Sequence, residues 1–239
     1  MPASHGVAAP SGPNLLRLTC LFALPMLAAV LTPPAFAGAC PAGQRQMVFP
    51  AESRFEYWRY STVSSNFARE LIWSSESRQQ RLERLPLFGG NLDEYFDFGA
   101  QTLTLVQYNG GTVAQCNQFA IADSFSRPSV GSACFAFAGN ANEGGLLPVE
   151  RWVVQNGTGV DQDVIAERLG EELLPLRLFD RTSSTIHVAY MNFSSELEDA
   201  DFVLPCTPTA QPGSADEALR ELEDQLDLPT GTLGKTNLE

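Results

Sequence analysis

Histidine is nearly absent: the 239 residues contain only two, His5 and His187. That removes most histidine-based acid–base catalysis and any histidine-rich metal centre. Positive charge is also scarce, with Lys plus Arg at 15 against 28 for Asp plus Glu and a formal net charge of -13. A nucleic-acid backbone is repelled by that balance, and so is an anionic membrane surface. No Gly-x-Ser-x-Gly elbow occurs, so an activated serine has no sequence support. No two cysteines are spaced Cys-x-x-Cys, which argues against zinc. Charged residues make up only 18% while apolar residues make up 44%, a globular rather than a disordered composition.

One long apolar run is present, near the amino terminus. Arg17 precedes Leu18 to Leu31, a run of signal-peptide length that is short for a membrane span. Pro33 and Pro34 end it, and Ala35-Phe36-Ala37 is a small-x-small cleavage site. Residues 1–37 therefore read as a secretory signal, leaving about 200 residues, one domain of ordinary size. No second apolar stretch follows, so no transmembrane segment is expected in the mature chain. Export changes what the cysteines mean. Cys20 departs, and Cys40, Cys116, Cys134 and Cys206 are expected to form two disulfides, with three pairings open. The sequons Asn156-Gly157-Thr158 and Asn192-Phe193-Ser194 are candidate N-glycosylation sites in a secreted protein.

The mature chain reads as strand and turn. Arg54 to Tyr60 alternates, with Phe55 and Tyr57 on one face and Trp58 and Tyr60 on the other. Phe67 to Trp73 places Phe67, Leu71 and Trp73 on one side, then turns through residues 74–77 into Gln80 to Leu85. Thr102 to Tyr108, the turn Asn109-Gly110-Gly111 and Thr112 to Ile121 form a second hairpin, because Asn and Gly tolerate positive φ. Leu173 to Phe179 and Thr185 to Phe193 make a third, and Leu146 to Val154 adds a strand entered through Gly144-Gly145. Asp161 to Leu169 is expected as a short helix. Seven or more strands at hairpin spacing predict a mainly β, antiparallel architecture, open or closed. After Cys206, residues 207–213 read as a proline-bearing linker to a loosely attached acidic helix, capped by Ser214-x-x-Glu217 with Leu219, Leu222 and Leu226 on one face. The expected organisation is a signal at 1–37, a β domain at 38–208 and an acidic tail at 209–239.

Candidate chemistry is thin. His187 sits in an alternating strand, where an ordinary sheet histidine fits better than a base. Asp93, Glu94 and Asp97 form one acidic cluster and Glu196, Glu198, Asp199 and Asp201 another; each reads first as a solvated acidic turn, with calcium binding the alternative. Glu198, Asp199 and Asp201 are hard oxygen ligands close enough in sequence to hold calcium at extracellular concentrations. The aromatics are more informative. Phe55 and Tyr57 against Trp58 and Tyr60, and Val149 against Trp152, give strands with large apolar groups on both faces. Such strands are buried on both sides, by a second layer or around a ligand cavity. Alternation also puts Asn192 on the face of Ile186, Val188 and Tyr190, so a glycan there requires the strand to end before Met191.

The arrangement of short motifs resembles the ependymin-related secreted proteins. Leu105 to Cys116 is similar to that family's cysteine-terminated hairpin, and Gly144-Gly145-Leu146-Leu147 with Trp152 resembles its glycine-led strand. Leu174-Pro175-Leu176 followed by Thr182-Ser183-Ser184 stands where the family has a Cys-x-Pro-Val strand and a turn, so Leu174 replaces the family's cysteine. Asn192-Phe193 through residues 198–202 to Leu204-Pro205-Cys206 resembles its closing segment. The resemblance covers about Cys40 to Cys206. It implies the pairs Cys116–Cys206 and Cys40–Cys134, and strongly curved antiparallel sheets forming a half-open barrel around an apolar pocket, with a few short helices, similar to bacterial periplasmic lipoprotein carriers. It also implies links to hydrophobic ligands, calcium, homodimers and extracellular matrix.

The function expected is therefore that of a secreted, non-enzymatic glycoprotein holding a lipid-like or fatty-acid-like molecule, with no cofactor beyond possible calcium. Its expected wall residues are Phe55, Tyr57, Leu71, Trp73, Leu103, Leu105, Val149, Trp152, Leu176 and Tyr190. The alternative is a calcium-dependent matrix or cell-adhesion glycoprotein.

Overall fold

A computed structural model describes residues 40–61, 67–87, 89–156, 159–181 and 186–225. The signal at 1–37, the turn at 182–185, Leu226, and the Asn156 side chain with the rest of its sequon lie outside the described residues.

Thirteen strands among the described residues join one mixed sheet. Six of them, β2 (Glu52–Ser61), β3 (Phe67–Ser75), β4 (Gln80–Leu87), β5 (Gly90–Asp97), β6 (Thr102–Asn109) and β7 (Thr112–Ala120), form one meander. Five more, β8 (Phe135–Glu143), β9 (Leu147–Asn156), β10 (Gly159–Leu169), β11 (Glu172–Asp180) and β12 (Ile186–Ser194), form a second. Antiparallel pairing of β12 with β2 joins the two meanders. The short β1 (Gln44–Arg45) adds to β8, and β13 (Thr209–Ser214) adds in parallel to β7. The ladder thus runs from an edge at β1 to an edge at β13. One α-helix, α1 (Ala215–Gln225), and a 3₁₀ turn at Asp199–Phe202 complete the described elements.

Local chemistry explains the expected hairpins. The β6–β7 turn is Gly110-Gly111, both at positive φ (58° and 85°), with Asn109 closing β6. That is the twist a two-residue hairpin needs. Glycine is also required at Gly90, where a Cβ would overlap the Tyr108 carbonyl of the neighbouring β6. The two disulfides join Cys40 to Cys134 and Cys116 to Cys206. Each ties a terminal stretch of chain to one end of the sheet: one beside β1 and β8, the other between β7 and the approach to β13.

Three expectations change. Residues 161–169 are not a helix but part of β10, paired on both sides with β9 and β11. Val164 and Ala166 are both fully buried, a period of two that only a strand provides. Good helix formers such as Ala166 and Leu169 lose to two ladders of tertiary hydrogen bonds. The acidic stretch Asp93, Glu94 and Asp97 is likewise no turn but lies in β5, with Asp93 and Glu94 buried. Finally, the proline-bearing linker contains β13. An edge strand tolerates proline, and Pro212 sits at the register break between Ala210 and Ser214.

Cross-strand neighbours share a face. The row Phe55, Ile72, Glu83, Glu94, Leu105, Asn117 crosses five interstrand junctions without a break, so β2 to β7 present one continuous inner face. Two apolar clusters lie on it. The first holds Phe49, Phe55, Tyr57, Ile72, Trp152, Val164, Leu178, Val188 and Tyr190. The second holds Leu92, Phe96, Phe98, Leu103, Leu105, Phe119, Ala215 and Leu219. Between them runs a buried polar belt of Glu70, Glu83, Glu94 and Arg81. Arg81 Nε lies 2.8 Å from a Glu83 carboxylate oxygen, a Coulomb contact off the N–H direction, and its guanidinium stacks 4.6 Å over Phe96. A carboxylate and two ring faces therefore surround the buried guanidinium.

Candidate functional site

The second cluster is covered by α1. Ser214 caps the helix, its Oγ accepting from Glu217 N at 3.2 Å, as the sequence predicts. Leu219 and Ala215 are buried against the sheet, with Ala218 and Leu222 packed at their side. The helix is thus docked, not loose. A cylinder laid on a pleated sheet leaves space along its flank, and here that space is a groove of about 420 Å³. Its floor is Leu92, Leu105 and Phe119, its helical wall Ala218 and Leu222, and its polar rim Gln107, Gln115, Asn117, Gln211, Glu217 and Glu221. Gln211 Nε2 donates to Asn117 Oδ1 at 2.9 Å, linking β13 to β7 across the rim. An apolar floor with convergent polar groups is the general layout of a small-molecule pocket.

The ten expected wall residues do not share one cavity. Leu105 lines the groove and Leu103 lies in the cluster beneath it. Phe55, Tyr57, Trp152 and Tyr190, with Leu176 packed against them, gather in the first cluster. Its centre is filled by Met47 and Phe49 from the chain before β2, and by Val130 and Phe135. Phe49 stacks on Phe55 with centroids 3.9 Å apart and meets the Tyr190 ring edge-on at 5.0 Å. The remaining three, Leu71, Trp73 and Val149, alternate onto the outer face. Trp73 is buried there beneath two guanidinium groups, Arg54 at 5.2 Å and Arg84 at 5.6 Å from its ring.

The outer face of β4 to β7 is crossed by the chain between the 3₁₀ turn and Cys206. The Cys116–Cys206 bond holds one end of this strap. Arg78 holds the other, its NH2 2.8 Å from Asp199 Oδ1 and its guanidinium 5.8 Å from the Phe202 ring. The expected calcium ligands are engaged in this architecture. Asp199 pairs with Arg78, and Asp201 Oδ2 accepts from Glu198 N at 2.8 Å. Among the described residues, no group of three or more His, Cys, Asp or Glu side chains is placed to hold a metal ion.

Several polar groups were not legible as partners. Asp93, fully buried, accepts two hydrogen bonds from Arg84 at 2.7 and 2.6 Å. The Asp93 hydrogen bonds raise the Arg84 pKa, and burial raises that of neighbouring Tyr95, so the guanidinium and phenol both stay protonated. A Glu-x-Trp unit also recurs. Trp58 Nε1 donates to Glu56 and Trp152 Nε1 to Glu150, each at 3.0 Å. Each carboxylate also takes an arginine: Arg69 on Glu56 and Arg168 on Glu150.

Asn192 resolves the conflict between its sequon and its strand. It adopts positive φ (56°) where the pairing of β12 with β2 slips between Met191 and Ser194. The strand continues, but this irregularity turns Asn192 outward while Tyr190 stays buried. Its Nδ2 donates to Glu56 Oε1 at 2.9 Å. His187 meets the Phe179 ring edge-on at 4.9 Å, in the expected sheet position.

No protein-family model matches the chain, and no curated protein matches it. Among the described residues no helix is long and apolar enough to cross a membrane.

Proposed function

We propose that this is a secreted, non-enzymatic β protein that binds a lipid-like amphiphile in the groove between α1 and β5–β7. The observation that carries the reading is the groove itself: an apolar floor of Leu92, Leu105 and Phe119 under a docked amphipathic helix, rimmed by the amides of Gln107, Gln115, Asn117 and Gln211 and the carboxylates of Glu217 and Glu221. An acyl chain laid on that floor gains about 0.8 kcal/mol for each methylene removed from water. The amide rim supplies donors and acceptors for a polar head. The resemblance to ependymin-related proteins supports a half-open barrel for the sheet. Two disulfides accord with the export reading of residues 1–37. The calcium-adhesion alternative is weaker, because Asp199 and Asp201 already serve as an ion-pair partner and a turn cap.

The test is native mass spectrometry of the full chain secreted from eukaryotic cells, followed by denaturing extraction and lipid identification. A co-purified lipid near unit occupancy, lost in Leu105→Arg, supports the groove. An empty protein that also fails to take up added dodecanoate or phosphatidylcholine overturns it.

A further inference from the structure

We propose a second binding site, for an uncharged saccharide of one or two rings, on the outer face of the sheet beneath the strap. A cavity of about 370 Å³ lies there between β4–β7 and the side chains of Phe202 and Leu204. Its volume falls at the lower end of the range for small-ligand pockets, room for about one or two pyranose rings.

The lining follows from alternation. Gln80, Asp97 and Thr102 are cross-strand neighbours in one row, and Tyr95, Thr104 and Gln118 in the next. These six side chains carry hydroxyl, amide and carboxylate groups on the face opposite the apolar clusters. Some of their capacity is committed: Gln80 Nε2 donates to Asp97 Oδ2 at 3.1 Å, and Gln118 Nε2 to Thr104 Oγ1 at 3.3 Å. Each amide keeps a carbonyl oxygen and a second N–H, so the site offers donors and acceptors together. A sugar needs that mixture, since each of its hydroxyls both gives and accepts. The apolar face of a pyranose needs a flat carbon surface, which the Phe202 and Tyr95 rings supply.

Charge narrows the class. Asp97 repels an acidic sugar, and the one guanidinium at the cavity, Arg81, points to the inner face and lies 2.8 Å from Glu83. The Cys116–Cys206 disulfide fixes one end of the strap, and the Arg78 guanidinium lies 5.8 Å over the Phe202 ring, so Phe202 is held near the sheet before a ligand arrives. Pre-set walls lower the ordering cost of binding. This site is independent of the amphiphile groove, which lies on the other face.

The experiment is saturation-transfer NMR on the full secreted protein with maltose, cellobiose, methyl galactoside and N-acetylglucosamine, against glucuronate. A saturable signal from at least one neutral sugar is expected, weakened about tenfold or more in both Phe202→Ala and Gln118→Ala. Far-UV circular dichroism shows whether each variant keeps its fold; Gln118→Ala removes only a half-buried amide and leaves the strap intact. Glucuronate is expected to stay silent in the native protein and to give signal in Asp97→Asn. No saturable signal from any neutral sugar overturns the proposal, and so does binding that both folded variants leave unchanged.

Discussion

The two apolar clusters share one sheet face, yet they are closed in different ways. The first is filled by its own extended chain, with Met47 and Phe49 inserted from before β2 and Val130 from the β7–β8 connection. Here the inserted segment lies close on the sheet, and the Phe49 ring stacks on Phe55 with centroids 3.9 Å apart. The second is closed by a helix, whose round section leaves the 420 Å³ groove at its flank. Both clusters are rich in large apolar side chains. The covering element, and not the strands, decides where space for a ligand survives.

Breaking that comparison starts with the disulfides. Each closes a loop of about 90 residues, so removing either costs about 4 to 5 kcal/mol in the chain-entropy account. Paired Cys40→Ser, Cys134→Ser and paired Cys116→Ser, Cys206→Ser variants should lower stability similarly in denaturant unfolding. Only the second pair should also impair lipid retention, because it anchors the chain that leads into β13 and α1. Next comes Phe49→Ala, which empties the centre of the first cluster and should cost about 3 to 5 kcal/mol. Lipid retention should be unchanged under conditions where the variant is folded. Loss of lipid from folded Phe49→Ala would move the ligand to the first cluster and reverse the comparison.

Part of this was legible in the sequence. The alternation of Arg54 to Tyr60 placed Phe55 and Tyr57 correctly on one face, and Asn109-Gly110-Gly111 marked its hairpin. The disulfide pairs came from family resemblance and agree with the structure. What stayed hidden depends on layers. Alternation tells which residues share a face, but not what lies over that face, so Phe49 plugging the first cluster could not be read from β2. Asp93, Glu94 and Asp97 looked like an acidic turn because nothing local shows that Arg84, nine positions before Asp93, neutralises it across β4 and β5. Residues 161–169 looked helical because propensity is local while the two flanking ladders are not.

A smaller effect sharpens the groove. Leu222 is half-buried at its wall, so Leu222→Asp should cost only about 1 to 2 kcal/mol of stability. It nonetheless places a charge where the acyl chain would lie and should abolish lipid co-purification. A variant that keeps its lipid would exclude the α1 flank as the binding surface.

The smallest effect concerns acid. The Asn192 and Trp58 hydrogen bonds hold Glu56 below its ordinary 4.5, and the Arg168 hydrogen bonds do the same for Glu150. A carboxylate with a lowered folded pKa stabilises fully above its unfolded value, and that stabilisation is lost as pH falls through the folded value. Both groups belong to strands that build the first cluster, β2 and β9, and both touch the tryptophan two residues on. All three tryptophans, Trp58, Trp73 and Trp152, lie on β2, β3 and β9, while α1 beside the second cluster is the one α-helix among the described residues. Indole fluorescence therefore reports the first region and the 222 nm helix band the second. As pH falls below 4.5 the fluorescence should change before the helix signal, and Glu56→Gln with Glu150→Gln should flatten that early change. Simultaneous transitions unaffected by the two substitutions would mean that the clusters unfold as one unit, joined rather than divided by the Glu83–Arg81 belt.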